Sequence, residues 1–299
     1  MGISQYIKDI GRGKDGARAL DRSAAADLFG QVLDGTVTDL EVGAFCLAMR
    51  IKGETADEMA GFLDATHARL NRVPENGLTT VVLPSYNGAR KLPVLTPLLG
   101  LLLARQGAAV VMHGTATETT RVTSASVLQA LGVAASEQVS SVAAGQVALF
   151  PTEVLCPGLS RLLDVRRVVG LRNPAHSLVK LMNPCTGRAL VVGSYTHPEY
   201  AVSMGATFTL TGQHALLLRG TEGEPVADPR RTPQMDIYQA GLCRNVQAAQ
   251  TGTLAQVPQL PGPDAVATAH YIQAVLSGEL PVPSPIALQV EHILQALTT

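Results

Sequence analysis

Tryptophan is absent from the 299 residues, and there are only five phenylalanines and six tyrosines. A chain this poor in aromatics cannot lay out a long stacking platform for unpaired bases. Only Tyr86, Tyr195 and Tyr200 stand near the segments of interest below, and each reads first as a packed ring with its hydroxyl satisfied rather than as a stacking surface. Cysteine is scarce as well. Cys46, Cys156, Cys185 and Cys243 are far apart and form no CxxC pair, which argues against a zinc site or a disulfide framework and for buried thiols. No apolar run approaches the roughly 18 residues of a membrane span, and Met1 to Asp9 lacks an apolar signal core. These features predict a cytoplasmic protein with no membrane partner.

What the chain does have is apolar mass and an uneven charge. Apolar residues make up 46% of it, enough for one large domain or two smaller ones. The net charge is only −1. Residues 1–75 hold nine Lys/Arg against twelve Asp/Glu, 76–190 hold ten against four, and 191–299 hold four against eight. The middle third is thus basic, by six charges. It either forms the positive groove of a polyanion binder or is scattered over the fold and cancelled by acids from the other thirds.

The first 72 residues read as helices. Ile3 to Ile10 is short and amphipathic. Ser23 to Leu33 follows the N-cap residues Asp21 and Ser23 and stops at Asp34-Gly35. Capping boxes at Thr38–Glu41 and Thr55–Glu58 open helices to Ile51 and Leu70. Val42, Phe45, Cys46 and Met49 make one apolar face. From residue 78 the pattern alternates. Strand-like runs at Thr79–Leu83, Ala109–His113, Gln146–Phe150, Ala189–Tyr195, Ala206–Leu210 and His214–Arg219 are interspersed with helices at Thr96–Arg105 and Ser124–Leu131. Two amphipathic helices, Asp264–Ser277 and Pro285–Leu297, close the chain. The expectation is a small helical domain, 1–74, joined by part of 161–184, and an α/β domain, 75–299, with a mostly parallel sheet.

One loop organises the rest. Leu83-Pro84-Ser85-Tyr86-Asn87-Gly88-Ala89-Arg90-Lys91 joins a strand to the helix at Thr96. Strand, tight loop and helix is the usual geometry for holding an anion on free backbone N–H groups. Such loops are normally glycine-rich, and this one has only Gly88, with Pro84, Tyr86 and the basic pair Arg90-Lys91 instead. An ordinary strand-to-helix turn is the alternative.

Asp34-Gly35-Thr36-Val37-Thr38-Asp39, Ala48-Met49-Arg50-Ile51-Lys52-Gly53-Glu54-Thr55, His113-Gly114, Ser126 to Gly132, and Leu171-Arg172 followed by Asn183-Pro184 resemble the anthranilate phosphoribosyltransferases. The resemblance implies the class III nucleoside phosphorylase fold, usually a homodimer through the helical domain. It also implies departures. The family's Gly-Thr-Gly-Gly-Asp loop for phosphoribosyl pyrophosphate is Pro84-Ser85-Tyr86-Asn87-Gly88, its strand-end lysine is Met112, its asparagine is Thr115, and its Gly-Pro before Leu-Thr-Asn-Pro is Val179-Lys180. No adjacent Asp-Glu pair remains for magnesium in Gly220 to Asp228, although Glu222, Glu224 and Asp228 could converge on an ion. The departing segments, with Arg172-Asn173-Pro174-Ala175-His176 and Asp228-Pro229-Arg230-Arg231, resemble the YbiB-type branch, which the resemblance describes as nucleic-acid-binding homodimers without transferase activity.

Two functions follow as expectations. In the first, the protein binds DNA or RNA without sequence specificity and uses no cofactor. Its phosphate contacts would come from Arg90, Lys91, Arg121, Arg166, Arg167, Arg172, Lys180, Arg188, Arg230 and Arg231, around a remnant pocket of Ser85, Tyr86, Asn87, Gly88, Thr96, His113, Gly114, Ser124, Arg172 and His176. Some of these arginines read equally as partners of helix ends or acids. In the second, an active glycosyltransferase of the phosphoribosyltransferase or phosphorylase type uses the same pocket on a changed substrate, with magnesium. His176 would then handle a proton, against the alternative of a buried core histidine. A pseudoenzyme that binds a small metabolite or a protein partner is a third reading, and fold alone does not choose.

Overall fold

The computed structural model describes residues 2–13 and 15–298. The N-terminal part is a bundle of α1 (Ser4–Ile10), α2 (Arg22–Asp34), α3 (Asp39–Lys52) and α4 (Ala56–His67). Its helix starts follow the sequence. Asp21 accepts from Ala24 N–H at 2.8 Å, and both expected capping boxes close around α3 and α4. Phe29 and Phe62 stack at 4.6 Å between centroids, with Phe45 edge-on to both. Phe45, Cys46 and Met49 are buried, whereas Val42 is only partly so. Helix α4 stops at His67 rather than Leu70.

The α/β part runs β1 (Thr80–Pro84), α5 (Thr96–Arg105), β2 (Ala109–Gly114), α6 (Ser124–Ala130), β3 (Val147–Pro151), α7 (Thr152–Leu155), α8 (Pro157–Val169), α9 (Ala175–Leu178), β4 (Ala189–Tyr195), α10 (Pro198–Thr211), β5 (Ala215–Thr221), β6 (Glu224–Ala227), β7 (Met235–Gln239), β8 (Leu242–Gln247), α11 (Ala265–Ser277) and α12 (Ser284–Leu297). The sheet order is β3-β2-β1-β4-β5-β7-β8, with β6 hydrogen-bonded to β5. The first five strands pair in parallel and β6, β7 and β8 pair antiparallel. Val81 lies opposite Val110 and Leu190, so β1 is central. Its residues are buried on both faces, as parallel sheets require.

Alternate residues along the strands feed two cores. Val82, Val111 and Val191 join one apolar cluster with Phe29, Phe62, Leu159 and Phe208, which carries the bundle core without a break onto the sheet. Val81, Val110 and Leu190 face α5, α11 and α12 through Leu98, Ile272 and Ile286. Among the described residues no helix is long and apolar enough to cross a membrane.

The structure corrects two elements. Ala206–Leu210, expected as a strand, lies inside α10. Pro198 starts that helix and Gly212 ends it. The hydroxyls of Thr207 and Thr211 donate back to Ser203 O and Thr207 O at 3.0 and 2.8 Å, which suits threonine to a helix interior. The antiparallel strands β6 to β8 were not expected, because Pro225, Pro229, Pro233 and Gly241 give that stretch the composition of a loop.

Candidate functional site

In an open parallel sheet, ligands collect beyond the carboxyl ends of the strands. Here that edge carries Ser85 after β1, Gly114 ending β2, Ser194 and Tyr195 ending β4, and Thr221 ending β5. The loop after β1 leaves beside β2, with Ser85 N–H donating to His113 O at 2.8 Å. Gly114 lies so close to it that a Cβ would run into Ser85 O. The loop is then clamped on the segment before α6. Ala89 and Val122 exchange N–H···O bonds of 2.9 and 3.0 Å, and Gly88, at φ 64°, leaves no room for a side chain against Val122 O.

The loop does hold an anion, and the anion is the protein's own. Gly88 N–H donates to Glu224 Oε1 at 2.7 Å. Glu224 Oε2 accepts from the Ser85 hydroxyl and, at 3.0 Å, from the Thr96 hydroxyl. The Ser124 hydroxyl is 2.6 Å from that of Ser85 and 3.5 Å from the same carboxylate oxygen. Glu224 is 1% exposed. A second carboxylate, Glu222, takes the N–H groups of Arg90, Lys91 and Leu92 at 3.0, 2.9 and 3.0 Å. Both are delivered by one hairpin. Thr221 pairs with Glu224 across the two-residue turn Glu222-Gly223, where both φ angles are positive, 52° and 89°. This is the turn geometry that suits the twist of a hairpin. A left-handed glutamate costs on the order of 1 kcal/mol or more, and three charge-assisted hydrogen bonds offset it.

The basic residues sort into five groups. Around Glu118, Arg166 is at 2.6 Å, Arg121 at 3.2 Å and Arg172 at 3.8 Å. Burial opposes the Glu118 charge, yet the hydrogen bonds from Arg166 and Arg121 outweigh it and hold the carboxyl below its usual range. Arg121 also donates to Gly88 O at 3.1 Å, and Arg172 to Asn87 Oδ1 at 3.0 Å, which ties this cluster to the loop. Away from it, Arg167 pairs with Asp164 at 2.9 Å, while Arg230 and Arg231 pair with Asp228 at 2.9 and 3.3 Å. Lys180 donates to Ser194 O at 3.0 Å with its ammonium 5.9 Å from the centre of the Tyr86 ring. Desolvation pushes its pKa down to about 8. Arg90 and Lys91 are exposed and, among the described residues, have no ion-pair partner. Arg188 departs from expectation. It precedes β4, its carbonyl accepts from Thr80 N–H at the first residue of β1, and it lies at the opposite, amino end of the sheet.

The expected pocket residues Ser85, Tyr86, Asn87, Gly88, Thr96, His113, Gly114, Ser124, Arg172 and His176 gather at the carboxyl edge, but most are buried. Tyr86 is 2% exposed with its ring edge-on to His176, and burial drives its pKa up to about 12, so it is no stacking platform. Burial lowers the pKa of His113 to about 4. Burial first, then the charges of Arg172 and Arg166, lower that of His176 to about 3. Both rings are neutral near pH 7, and His176 stays unprotonated there. Above these residues a cleft of about 680 Å³ separates the α3–α4 turn from the sheet edge, lined by Lys52, Arg172, His176, Lys180, Tyr195 and Tyr200 among others.

Magnesium does not fit this donor set. Glu224 and Glu222 are spent on hydroxyls and N–H groups, Asp228 on two arginines, and no group of three potential ligands comes together among the described residues. The sequence did not single out Glu118, although its spacing of three before Arg121 was visible. It also did not reveal the buried pair of Lys52 and Glu58 at 2.6 Å, which sits under the cleft.

Comparison with known proteins agrees with this architecture. Residues 4–69 match the helical bundle domain of a glycosyl transferase family. The chain is 38% identical over 304 residues to the uncharacterized protein YbiB of Escherichia coli K12, covering 99% of this chain and 94% of that one. It is 30% identical over 285 residues to an anthranilate phosphoribosyltransferase of Anaeromyxobacter dehalogenans 2CP-1, covering 93% and 83%. Among solved structures, the anthranilate phosphoribosyltransferase of Thermus thermophilus superposes with a TM-score of 0.77 at 22% identity, over 98% of this chain and 89% of that one. The Saccharomyces cerevisiae enzyme in complex with PRPP and Mg gives 0.73 at 13% identity, over 99% and 88%. At these identities the structures speak for the fold.

Proposed function

The chain belongs to the YbiB-type branch of the anthranilate phosphoribosyltransferase superfamily, and on that premise we propose that it is a non-catalytic member that binds nucleic acid without sequence specificity. The observation that carries the reading is Glu224. Its carboxylate takes the loop N–H and the hydroxyls that would otherwise be free for a phosphate of phosphoribosyl pyrophosphate. A dianionic substrate placed there would meet a buried negative charge, which is strongly unfavourable in a desolvated site.

The rim of the same edge remains positive. Arg90, Lys91, Arg121, Arg166, Arg172 and Lys180 stand against Glu118, Glu222 and Glu224, six cations to three carboxylates in a chain whose overall charge is −1. Phosphate contacts of this kind supply sequence-independent affinity. With Tyr86 buried, base stacking contributes little and charge carries the binding. We further propose a homodimer through α3. Leu40, Leu47 and Ile51 are 84%, 47% and 61% exposed there, a larger apolar face than a solvated helix ordinarily keeps. Two clefts would then form one track.

The test is binding to a labelled mixed-sequence oligonucleotide across a salt series, single- and double-stranded, beside an assay of phosphoribosyl transfer. Affinity is expected to fall log-linearly with salt. Arg90→Ala combined with Lys91→Ala should reduce the slope by roughly 1.4 for a single strand, two phosphate contacts' worth. Turnover of phosphoribosyl pyrophosphate, or no oligonucleotide binding at low salt, overturns the reading.

A further inference from the structure

Glu222 differs from Glu224 in one respect that matters: it is not sealed. It is partly buried, and Arg90 and Lys91, whose backbone N–H groups it engages, are exposed. Three successive N–H groups aimed at one point form an anion nest. This nest is not a helix start, because α5 begins four residues later, at Thr96. Its loop carries two exposed cationic side chains, Arg90 and Lys91, neither of which has an ion-pair partner among the described residues. Hydrogen bonds run from it into the arginine cluster. Asn87 Nδ2 donates to the Glu222 carbonyl, and Asn87 Oδ1 accepts from Arg172. In that cluster Arg166 Nη1 is buried without a hydrogen-bond partner. The position is thus built for negative charge, and a carboxylate holds it from a strained turn.

We propose that the N–H groups of residues 90–92, together with the Arg90 and Lys91 side chains, form a binding site for a phosphate monoester, which displaces the Glu222 carboxylate. A monoester is a near-dianion with three free oxygens, so each N–H can have its own acceptor and the charge exceeds that of the carboxylate it replaces. An internal phosphodiester carries a single charge and two free oxygens, with chain on both sides, and gains nothing over Glu222. The ligand is therefore either the terminal phosphate of a strand or free phosphate. The first source rests on the nucleic-acid reading, whereas the chemistry of the nest does not.

Two measurements test this. The first compares 3′-labelled oligonucleotides with a 5′-phosphate or a 5′-hydroxyl, binding to the wild-type protein and to Glu222→Gln. The second follows the backbone amide resonances of Arg90, Lys91 and Leu92 in the wild-type protein as inorganic phosphate is added, and needs no variant to fold. The 5′-phosphate is expected to tighten binding, and in Glu222→Gln by on the order of tenfold, the effect of one charge-assisted contact. Phosphate is expected to shift the three amides. Amide shifts with equal binding of the two oligonucleotides support the site and assign it to free phosphate. Amide shifts with no oligonucleotide bound leave the nest standing and remove the nucleic-acid reading. Oligonucleotides bound equally well with either end, and amides that do not move, overturn the nest and leave that reading intact.

Discussion

Glu224 ties the loop after β1 to the β5–β6 hairpin. Its carboxylate satisfies Gly88 N–H and two hydroxyls in a place without water access. Removing it leaves those donors buried and unpaired, which costs about 3 kcal/mol. Glu224→Ala is therefore expected to lower the urea-unfolding free energy by that order, with part of the loss recovered in millimolar inorganic phosphate, because a ligand that binds only the folded state stabilises it. The strand, loop and helix around Ser85 to Thr96 were legible as an anion holder from sequence. Which anion it holds was not, because Glu224 lies 136 residues from Gly88. The arginines show the same limit in reverse. Of the ten basic candidates, six pair with carboxylates of this chain: Arg121, Arg167, Arg230 and Arg231 do so within three residues, a spacing open to a sequence reading, whereas the pairing of Arg166 and Arg172 with Glu118 appears only in three dimensions.

Helix ends were the most legible feature, since a capping box is a local interaction written in four residues. The box at Thr55 also carries load from elsewhere. Its Glu58 is fully buried and accepts from Leu20 N–H at 3.0 Å and from Lys52 Nζ at 2.6 Å. Thr38→Ala, at an exposed cap, should cost about 1 kcal/mol, whereas Glu58→Ala should cost about 3–5 kcal/mol by leaving the Lys52 ammonium unpaired. Chemical denaturation of the two variants side by side checks the difference. Elements defined by long-range pairing were harder to read. The segment Ala206–Leu210 has strand composition and became helix because Pro198 and Gly212 bound a helical stretch that packs against α4 and β5. Strands β6 and β7 form on β5 and β8 forms on β7, pairings that no local pattern encodes.

For the molecule as a whole, the parallel sheet with a helical N-terminal bundle followed from the change of period near residue 78, and the +6 charge of residues 76–190 from counting. Where those charges sit did not follow, and Arg188 at the far end of the sheet is the clearest instance. Buried histidines set a global pH response. Burial lowers His67 and His113 to about 4 and His176 to about 3, below the ordinary value of 6.5. The unfolded chain therefore takes up protons first as the solution is acidified. The stability these rings contribute is intact above pH 6.5 and is lost as pH falls towards 4, by on the order of 2 kcal/mol per histidine between pH 7 and 5. Urea unfolding at the two pH values should show that loss, and His113→Asn should reduce it by one histidine's share.

The apolar cluster that runs from Phe29 and Phe62 through Leu159 to Val82 and Val191 has a kinetic consequence. The two parts of the chain share one core, so swinging them apart would expose it to water. On the proposed nucleic-acid reading, a long ligand would then not be captured by jaws that shut over it but would settle on a surface already in shape. Encounter would be the slow step of such binding. Added salt should act mainly on the association rate, through weaker electrostatic steering, and much less on how long the complex lasts.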